Sequence, residues 1–344
     1  MTIRMNWILK LRKMDRIKEI WDFLLLNPSK LEGIEKIRFT DKSPCDIYLG
    51  IKTPERSKLL AIRISLKNGR ELSKVRNIKG LKIEKIIDSE NNGYILLSLI
   101  LSEIQFQDIF DVLISDIISH VINLSDEKKI IKDFFGRLNK WQALFEKFNP
   151  EGLSIESQHG LYGELIVLKF LISEIDDKVK AVQSWVGSEH AIQDFQRDDW
   201  AIEVKTSGGN NAQKIQISNE RQLDETWVKH LFLYHLVYDI RPGPGQSLNQ
   251  LVDEIKLLLT NENIAYHLFN EKLIAAGYFE AHKELYSETT YNRRESNIYK
   301  VEGEFPRIKP DTIPIGVSEV KYSLNTAECK DYIITDISFL EIVK

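Results

Sequence analysis

The sequence predicts an α/β protein in two parts: a smaller amino-terminal α/β unit and a larger carboxy-terminal unit built on a mixed β-sheet flanked by helices. Three stretches carry that expectation. Trp200–Thr206 alternates apolar and polar residues at the period of a half-buried strand. His230–Ile240, HLFLYHLVYDI, is dense in apolar and aromatic residues, as a buried central strand is. Between Asp46 and Ile100 several short β-rich runs precede an amphipathic helical pattern over Ile104–Val121.

Length and composition bound the rest. A chain of 344 residues is expected to hold about two domains. We place an accessory domain at 1–124, a bridging helix at 125–150 and the main domain at 151–344. An apolar fraction of 43% with 28% charged residues is ample for a core. The net charge of −4 counts against a dedicated nonspecific DNA binder but allows a cleft where basic residues gather. Cys45 and Cys329 stand far apart, form no zinc or disulfide pattern, and point to a reducing, cytoplasmic setting. Charges interrupt the amino-terminal MTIRMNWILKLRK, so it is no secretory signal, and no apolar run suffices to span a membrane.

In chain order, Ile17, Ile20, Trp21, Leu24 and Leu25 mark a helix that Asn27-Pro28 ends. Asp46–Ile51 and Leu59–Leu66 pair across Thr53-Pro54-Glu55-Arg56, and Leu81–Ile87 and Tyr94–Ile100 add two strands. Between them runs a basic connector that includes Lys67, Arg70, Lys74, Arg76, Lys79, Lys82 and Lys85. It is either a solvated loop or a phosphate-contacting surface. Ser125 is the expected cap of a long helix carrying Ile130, Phe134, Leu138, Trp141, Leu144, Phe145 and Phe148, closed by Asn149-Pro150. A second apolar helix covers Leu161–Ser173. Helices are expected over Ser247–Leu259 and Asn263–Ala276. The stretch Tyr286–Tyr299, rich in aromatic and basic residues, is expected as a hairpin edge. Glu304–Ile308, Gly316–Leu324 and Tyr332–Val343 are expected as β structure.

The chemistry gathers at QDFQRDDWAIEVKTS. The pleat puts Glu203 and Lys205 on one strand face, and a short hairpin through Gln196–Asp199 returns Asp194 beside Glu203. Two carboxylates with a backbone carbonyl and waters suit Mg²⁺, a hard cation that takes oxygen ligands. Such an ion supports hydrolysis of a phosphodiester, with Lys205 orienting water or offsetting transition-state charge. A surface salt-bridge cluster is the plainer alternative. Gln216 and Ser218 on the next strand, Arg221 at the start of a short helix and Thr206 are the candidate substrate contacts, and Gln222 joins Arg221 as a candidate phosphate contact. Ser207–Asn211 forms a turn beside the nucleic-acid path. His159, His230 and His235 fit structural roles better than ligand roles.

The residues Asp194, Glu203-Val204-Lys205 and Gly163-Glu164 resemble the PD-(D/E)XK nuclease superfamily, and with it a restriction-endonuclease-like core. GLYGELIVLKFLI, QDFQRDDWAIEVKTS and FPRI are similar to a bacterial branch of PD-(D/E)XK motif proteins found among restriction and phage-defence genes. Gln193 stands where the signature proline is usual. The resemblance implies a metal-dependent DNA endonuclease using Mg²⁺, with Mn²⁺ as substitute. Asp194, Glu203 and the Val204 carbonyl would hold metal, Lys205 would manage the nucleophile, and Glu164 would assist. A Glu near a helix start also suits the helix dipole. DNA is the implied partner, together with other subunits of a defence system. Cutting both strands calls for two cores, as in a homodimer. The alternative is a catalytically silent DNA-binding or partner-binding subunit.

Glu-x-Lys recurs at Glu127/Lys129, Glu254/Lys256, Glu319/Lys321 and Glu328/Lys330. Pro310-Asp311 before Glu319 spells the signature literally. Too little chain follows Lys321 to close the core that the resemblance implies, so the site over 194–205 is preferred. Glu127 and Glu254 lie in helical patterns, where residues two apart diverge by roughly 200°.

Overall fold

The computed structural model describes residues 16–27, 31–71, 78–147, 149, 151–189, 191–209 and 213–344. The first 15 residues, Pro28, Lys74, Arg76, Phe148, Pro150, Asn210 and Asn211 lie outside them, as do the side chains of Leu144 and Phe145. The chain divides into two compact units, Met1–Asn149 and Pro150–Lys344.

The first unit opens with helix α1 (residues 16–26). Strands β1 (Gly33–Arg38), β2 (Ile47–Thr53) and β3 (Ser57–Ser65) follow, then the short helix α2 (Leu66–Glu71), β4 (Leu81–Ile87) and β5 (Tyr94–Leu101). The five strands form an antiparallel sheet in the order β1-β2-β3-β5-β4. β1 was not expected; GIEKIR has little alternation and gains its place only by pairing with β2 along the edge. Helices α3 (Gln107–Val121) and α4 (Glu127–Lys147) complete the unit. Asp116 on α3 accepts from Arg137 Nε at 2.7 Å and Trp141 Nε1 at 2.8 Å, which lays α4 along α3. Lys58 on β3 reaches Asp111 on α3 at 3.0 Å and stands 4.6 Å from the Trp21 ring centroid. Glu127 accepts from the Ser65 N–H and hydroxyl and from the Asn68 amide, so that Glu-x-Lys occurrence fastens α4 to the start of α2.

The second unit begins with α5 (Ile155–Glu174) and α6 (Lys178–Ser184), followed by the two-residue β6 (Phe195–Gln196) and β7 (Trp200–Gly208). Then come β8 (Lys214–Ile217), β9 (His230–Pro242), the short β10 (Gln246–Ser247), α7 (Leu248–Leu258) and α8 (Asn263–Ala275). Last are β11 (Thr289–Lys300), β12 (Tyr322–Asn325), the short β13 (Ile333–Ile334) and α9 (Asp336–Val343). The main sheet runs β10-β11-β9-β7-β6, with β13 also on β11. It is mixed, because β7 and β9 are parallel and the other pairs antiparallel. The apolar run of β9 makes it the central strand, as its composition predicts. Ser247 caps α7 in a full capping box with Gln250.

Several expectations are corrected. β8 does not lie beside β7 in the main sheet; it pairs with β12 in a separate two-stranded ribbon, because β9 fills the neighbouring position through nine parallel pairs. Residues 332–343 are largely helical: Thr335 accepts the Ser338 N–H and caps α9. Residues 304–308 form no strand. α5 starts at Ile155, capped by Ser154, so the helix is longer than the apolar stretch alone suggested. No helix among the described residues is long and apolar enough to cross a membrane.

The cap of α4 is Asp126 rather than the expected Ser125: its carboxylate accepts from Lys128 N at 2.9 Å and from Lys129 N at 3.4 Å. Asp126→Ala should therefore cost about 1 kcal/mol in urea unfolding. Ser125→Ala should change nothing measurable, and equal losses in the two variants would refute the assignment.

Candidate active site

The hairpin sets the first carboxylate. β6 and β7 pair as Phe195↔Ile202 and Gln196↔Ala201, so Asp194 stands opposite Glu203. The Asp194 N–H donates to the Ile202 carbonyl at 3.1 Å, and its own carbonyl accepts from Val186 N at 2.8 Å and Gly187 N at 2.9 Å. The side chain is fixed as well, because Val204 N–H donates to Asp194 Oδ2 at 2.7 Å. Asp194 Oδ1 remains directed toward Gly187.

β7 carries the second carboxylate and the lysine. Sequence periodicity suggested a half-buried strand, yet Trp200 through Val204 are all buried. Both faces are covered because β7 lies between β9 and β6, with α5 packed on Val204 and Thr206 and the Ile215–Ile217 ribbon over Ala201. Glu203 is therefore only 1% exposed. Its Oε1 lies 2.7 Å from Lys205 Nζ, and its Oε2 is buried with no hydrogen-bond partner. Lys205 Nζ also donates to Gln222 Oε1 at 3.2 Å, and that same oxygen accepts from Ser218 N at 2.9 Å.

The third carboxylate comes from α5. Because the helix begins at Ile155, Glu164 lies well past its first turn, and the dipole gives no reason for an acid there. Its Oε2 accepts from Trp185 Nε1 at 2.6 Å. A Cβ on Gly187 would stand 2.9 Å from Asp194 Oδ1 and 3.0 Å from Glu164 Oε2, so both oxygens face one small gap that only glycine leaves open. The strap through Trp185 and Gly187 is anchored from α8: Lys272 donates to the Trp185 carbonyl and pairs with Glu189 at 2.6 Å. Sequence reasoning missed Trp185, Gly187 and Lys272, and it read Gln222 as a phosphate contact beside Arg221 rather than as the partner of Lys205. All act through contacts distant in the chain, and only the glycine-bearing WVGSE after α6 offered a local hint.

The electrostatics follow from this packing. Burial, and then the Asp194 carboxylate, push Glu164 up to about 8, against the pull of Trp185 and Lys205. Burial pushes Asp194 up to about 6, although Val204 N–H and Lys205 oppose it. Burial and the Asp194 charge raise Glu203 well above the ordinary carboxylic range. Fully ionised, three carboxylates would face one ammonium. That excess of negative charge, the oxygen-only donor set, the orphaned Glu203 Oε2 and the gap at Gly187 fit a hard divalent cation. Among the described residues no three His, Cys, Asp or Glu side chains are already arranged as a metal cage. The Lys205 and Val204 donors instead hold one oxygen each of Glu203 and Asp194.

The structure thus brings Asp194, Glu203, Lys205 and Glu164 together, with Val204 contributing its backbone. The other candidates are placed differently. Thr206 Oγ1 packs beneath α5, where a Cβ on Gly163 would meet it at 2.0 Å, and it has no partner. Gln216 is exposed on the ribbon and accepts from Ser323 Oγ at 3.2 Å. The Ser218 N–H serves Gln222, and Arg221 is exposed on the 3-10 turn Glu220–Leu223. Arg307 of the FPRI segment donates to the Leu223 carbonyl at 3.0 Å and to Glu225 at 2.6 Å, fixing the far end of that turn. Asp198 and Asp199 are exposed at the hairpin tip. His159 packs edge-on against Tyr291, and His235 Nε2 lies 2.9 Å from Ser207 Oγ. Glu319 and Lys321 are exposed in irregular chain before β12.

No curated protein and no solved structure matches the chain. A family profile described as "Putative PD-(D/E)XK family member, (DUF4420)" matches residues 17–327. That span covers most of the sequence and every residue of the acid–lysine cluster, and the chain belongs to this family.

Proposed function

We propose that the protein is a metal-dependent DNA endonuclease serving a restriction or anti-phage defence system. The observation that carries this reading is the convergence of Asp194, Glu203, Glu164 and Lys205 in one niche at a bent strand pair. Asp194, Glu203 and the Val204 carbonyl, assisted by Glu164, would hold Mg²⁺, or Mn²⁺ in its place. Bound there, the ion would supply Lewis acidity to the phosphodiester and to the attacking water. Gln222 and Glu203 hold the Lys205 ammonium between them, so it can orient that water or offset charge that develops in the transition state. The family likeness favours DNA and a defence setting. Two such cores in a homodimer would cut both strands, other subunits of the system are candidate partners, and the free buried Cys45 and Cys329 suit a cytoplasmic workplace.

Supercoiled plasmid incubated with purified protein and Mg²⁺ should be nicked or linearised. EDTA should abolish the reaction, and Lys205→Ala should slow it by about 10²–10³. Nicking that survives either treatment would discredit this site, and no cutting by wild type would favour the silent-subunit alternative.

Carboxyls with raised folded-state pKa bind more protons folded than unfolded, so their contribution to stability declines as pH rises through that range. For Glu164 the interval runs from 4.5 to about 8. Glu164→Gln keeps an acceptor for Trp185 Nε1 and should melt like wild type near pH 4. It should gain on the order of 1–2 kcal/mol over wild type by pH 8 without metal. Mg²⁺ should narrow that difference by stabilising wild type. A variant less stable than wild type at pH 8 in EDTA would contradict the electrostatic account.

Gly187→Ala inserts a methyl between Asp194 and Glu164 without demanding a strained backbone, since Gly187 is not among the glycines at positive φ. It should weaken Mn²⁺ binding about 10- to 100-fold in calorimetric titration. Unchanged affinity would place the cation elsewhere.

A further inference from the structure

Beside the acid cluster lies a cavity of about 810 Å³ whose wall includes Ile192, Gln193, Arg221 and Trp227. A second cavity, of about 510 Å³, shares Ile192 and Arg221 with the first and reaches Gln222. Gln222 holds Lys205, and Gln193 immediately precedes Asp194. Gln193 Nε2 also donates to the Arg221 carbonyl at 3.0 Å, so the floor between the two cavities is tied directly to the site. The two cavities thus meet at Ile192 and Arg221, with Trp227 on one and Gln222, the partner of Lys205, on the other.

The side chains along these cavities are unusual for a surface. Trp227 is 82% exposed, and Ile192 beside the same cavity is 47% exposed. Trp227 is not carried on a loose tip. Asp224 Oδ1 accepts from Thr226 N at 3.0 Å and from its hydroxyl, Val228 N–H returns to the Glu225 carbonyl at 3.2 Å, and Arg307 holds Glu225. Arg221 is exposed and has no carboxylate partner among the described residues. Arg307 and Lys309 offset the nearby Glu225 charge, at 2.6 and 3.3 Å.

An exposed indole on a hydrogen-bonded turn beside a concavity, with a guanidinium on the same wall that has no carboxylate partner among the described residues, matches one ligand chemistry. A nucleic-acid strand offers a flat π-face on each base and a phosphate between successive bases. A base inside a duplex is stacked on both faces and cannot offer one to a side chain, so the base seated here must be unpaired or extruded. We propose that this cavity binds an unpaired base of the DNA strand being cut, stacked on Trp227 with a flanking phosphate at Arg221. The proposal rests on the nuclease reading above and specifies the substrate as a strand with at least one exposed base next to the scissile phosphate.

The test uses the full chain in Ca²⁺, with fluorescence anisotropy of a labelled single-stranded DNA oligonucleotide and of a duplex of the same sequence. Trp227→Ala should melt like wild type and bind the single strand about 5- to 150-fold more weakly. Trp227→Phe should recover most of the affinity. In a scan that removes one base at a time, the Trp227→Ala effect should vanish when one particular position is abasic. The proposal is overturned if wild type fails to bind the single strand, if Trp227→Ala binds it equally well, or if no abasic position couples to the ring. A change in sedimented mass without a change in DNA binding would assign the indole to contact with another copy of the chain and overturn it too. Mg²⁺-dependent cutting by wild type separates the two claims. Cutting with unaltered binding by Trp227→Ala removes the base site alone, whereas Trp227-dependent binding without cutting removes the hydrolase reading alone.

Discussion

Three carboxylates confined with a single ammonium in a largely buried niche is the constraint around which the second unit is built. Each acid is held by a different kind of donor: Asp194 by the Val204 backbone, Glu164 by the Trp185 indole, Glu203 by Lys205. None of these donors neutralises the cluster, and burial raises the pKa of every acid in it. Replacing a buried ion pair as a whole by uncharged groups of similar volume is commonly neutral or stabilising. A fold selected for stability alone has no physical reason to keep three such acids together. Local rules broken at one place while the rest of the unit obeys them make this cluster the candidate functional site.

Holding mutually repelling groups in place takes rigidity from far along the chain. Lys272 on α8 ties down the strap that presents Trp185 and Gly187, although it lies more than eighty residues further on. Arg307 plays the matching part on the opposite side, where its bonds to the Leu223 carbonyl and Glu225 fix the turn that carries Gln222. The sequence likeness in FPRI thus has a structural meaning: its arginine makes no contact with the acids, but it supports the residue that holds Lys205. Preorganisation of this kind lets a site stabilise developing charge without first rearranging.

What could be read from the sequence was what is local. The hairpin was legible because strand alternation and a polar four-residue tip leave few ways to pair Asp194 with anything but Glu203. The apolar β9 and the Ser247–Gln250 cap of α7 were legible for the same reason. Glu164 was singled out through resemblance, and its position in the helix was misjudged because ESQH hides the first turn of α5 behind polar residues. β8 was assigned to the wrong neighbour because its partner, β12, lies over a hundred residues away. The burial of Glu203, the gap at Gly187 and the grip of Gln222 on Lys205 had no sequence signal, since each exists only once distant elements pack.

The second spelling of the signature sharpens the point. Pro310-Asp311 with Glu319 and Lys321 has the literal letters, yet Asp311, Glu319 and Lys321 are all exposed, and Glu319 adopts a left-handed backbone conformation at φ 57° in irregular chain. Water screens acids in that setting, and among the described residues no lysine pairs with them. At 194–205 the proline is missing and the acids and the lysine converge, because a parallel strand on one side and a helix above bury the same letters. The motif is therefore a statement about dielectric environment as much as about residue identity. Among the described residues the Glu-x-Lys on β7 is the one that the chain buries beside a second acid, and that burial separates it from the other occurrences.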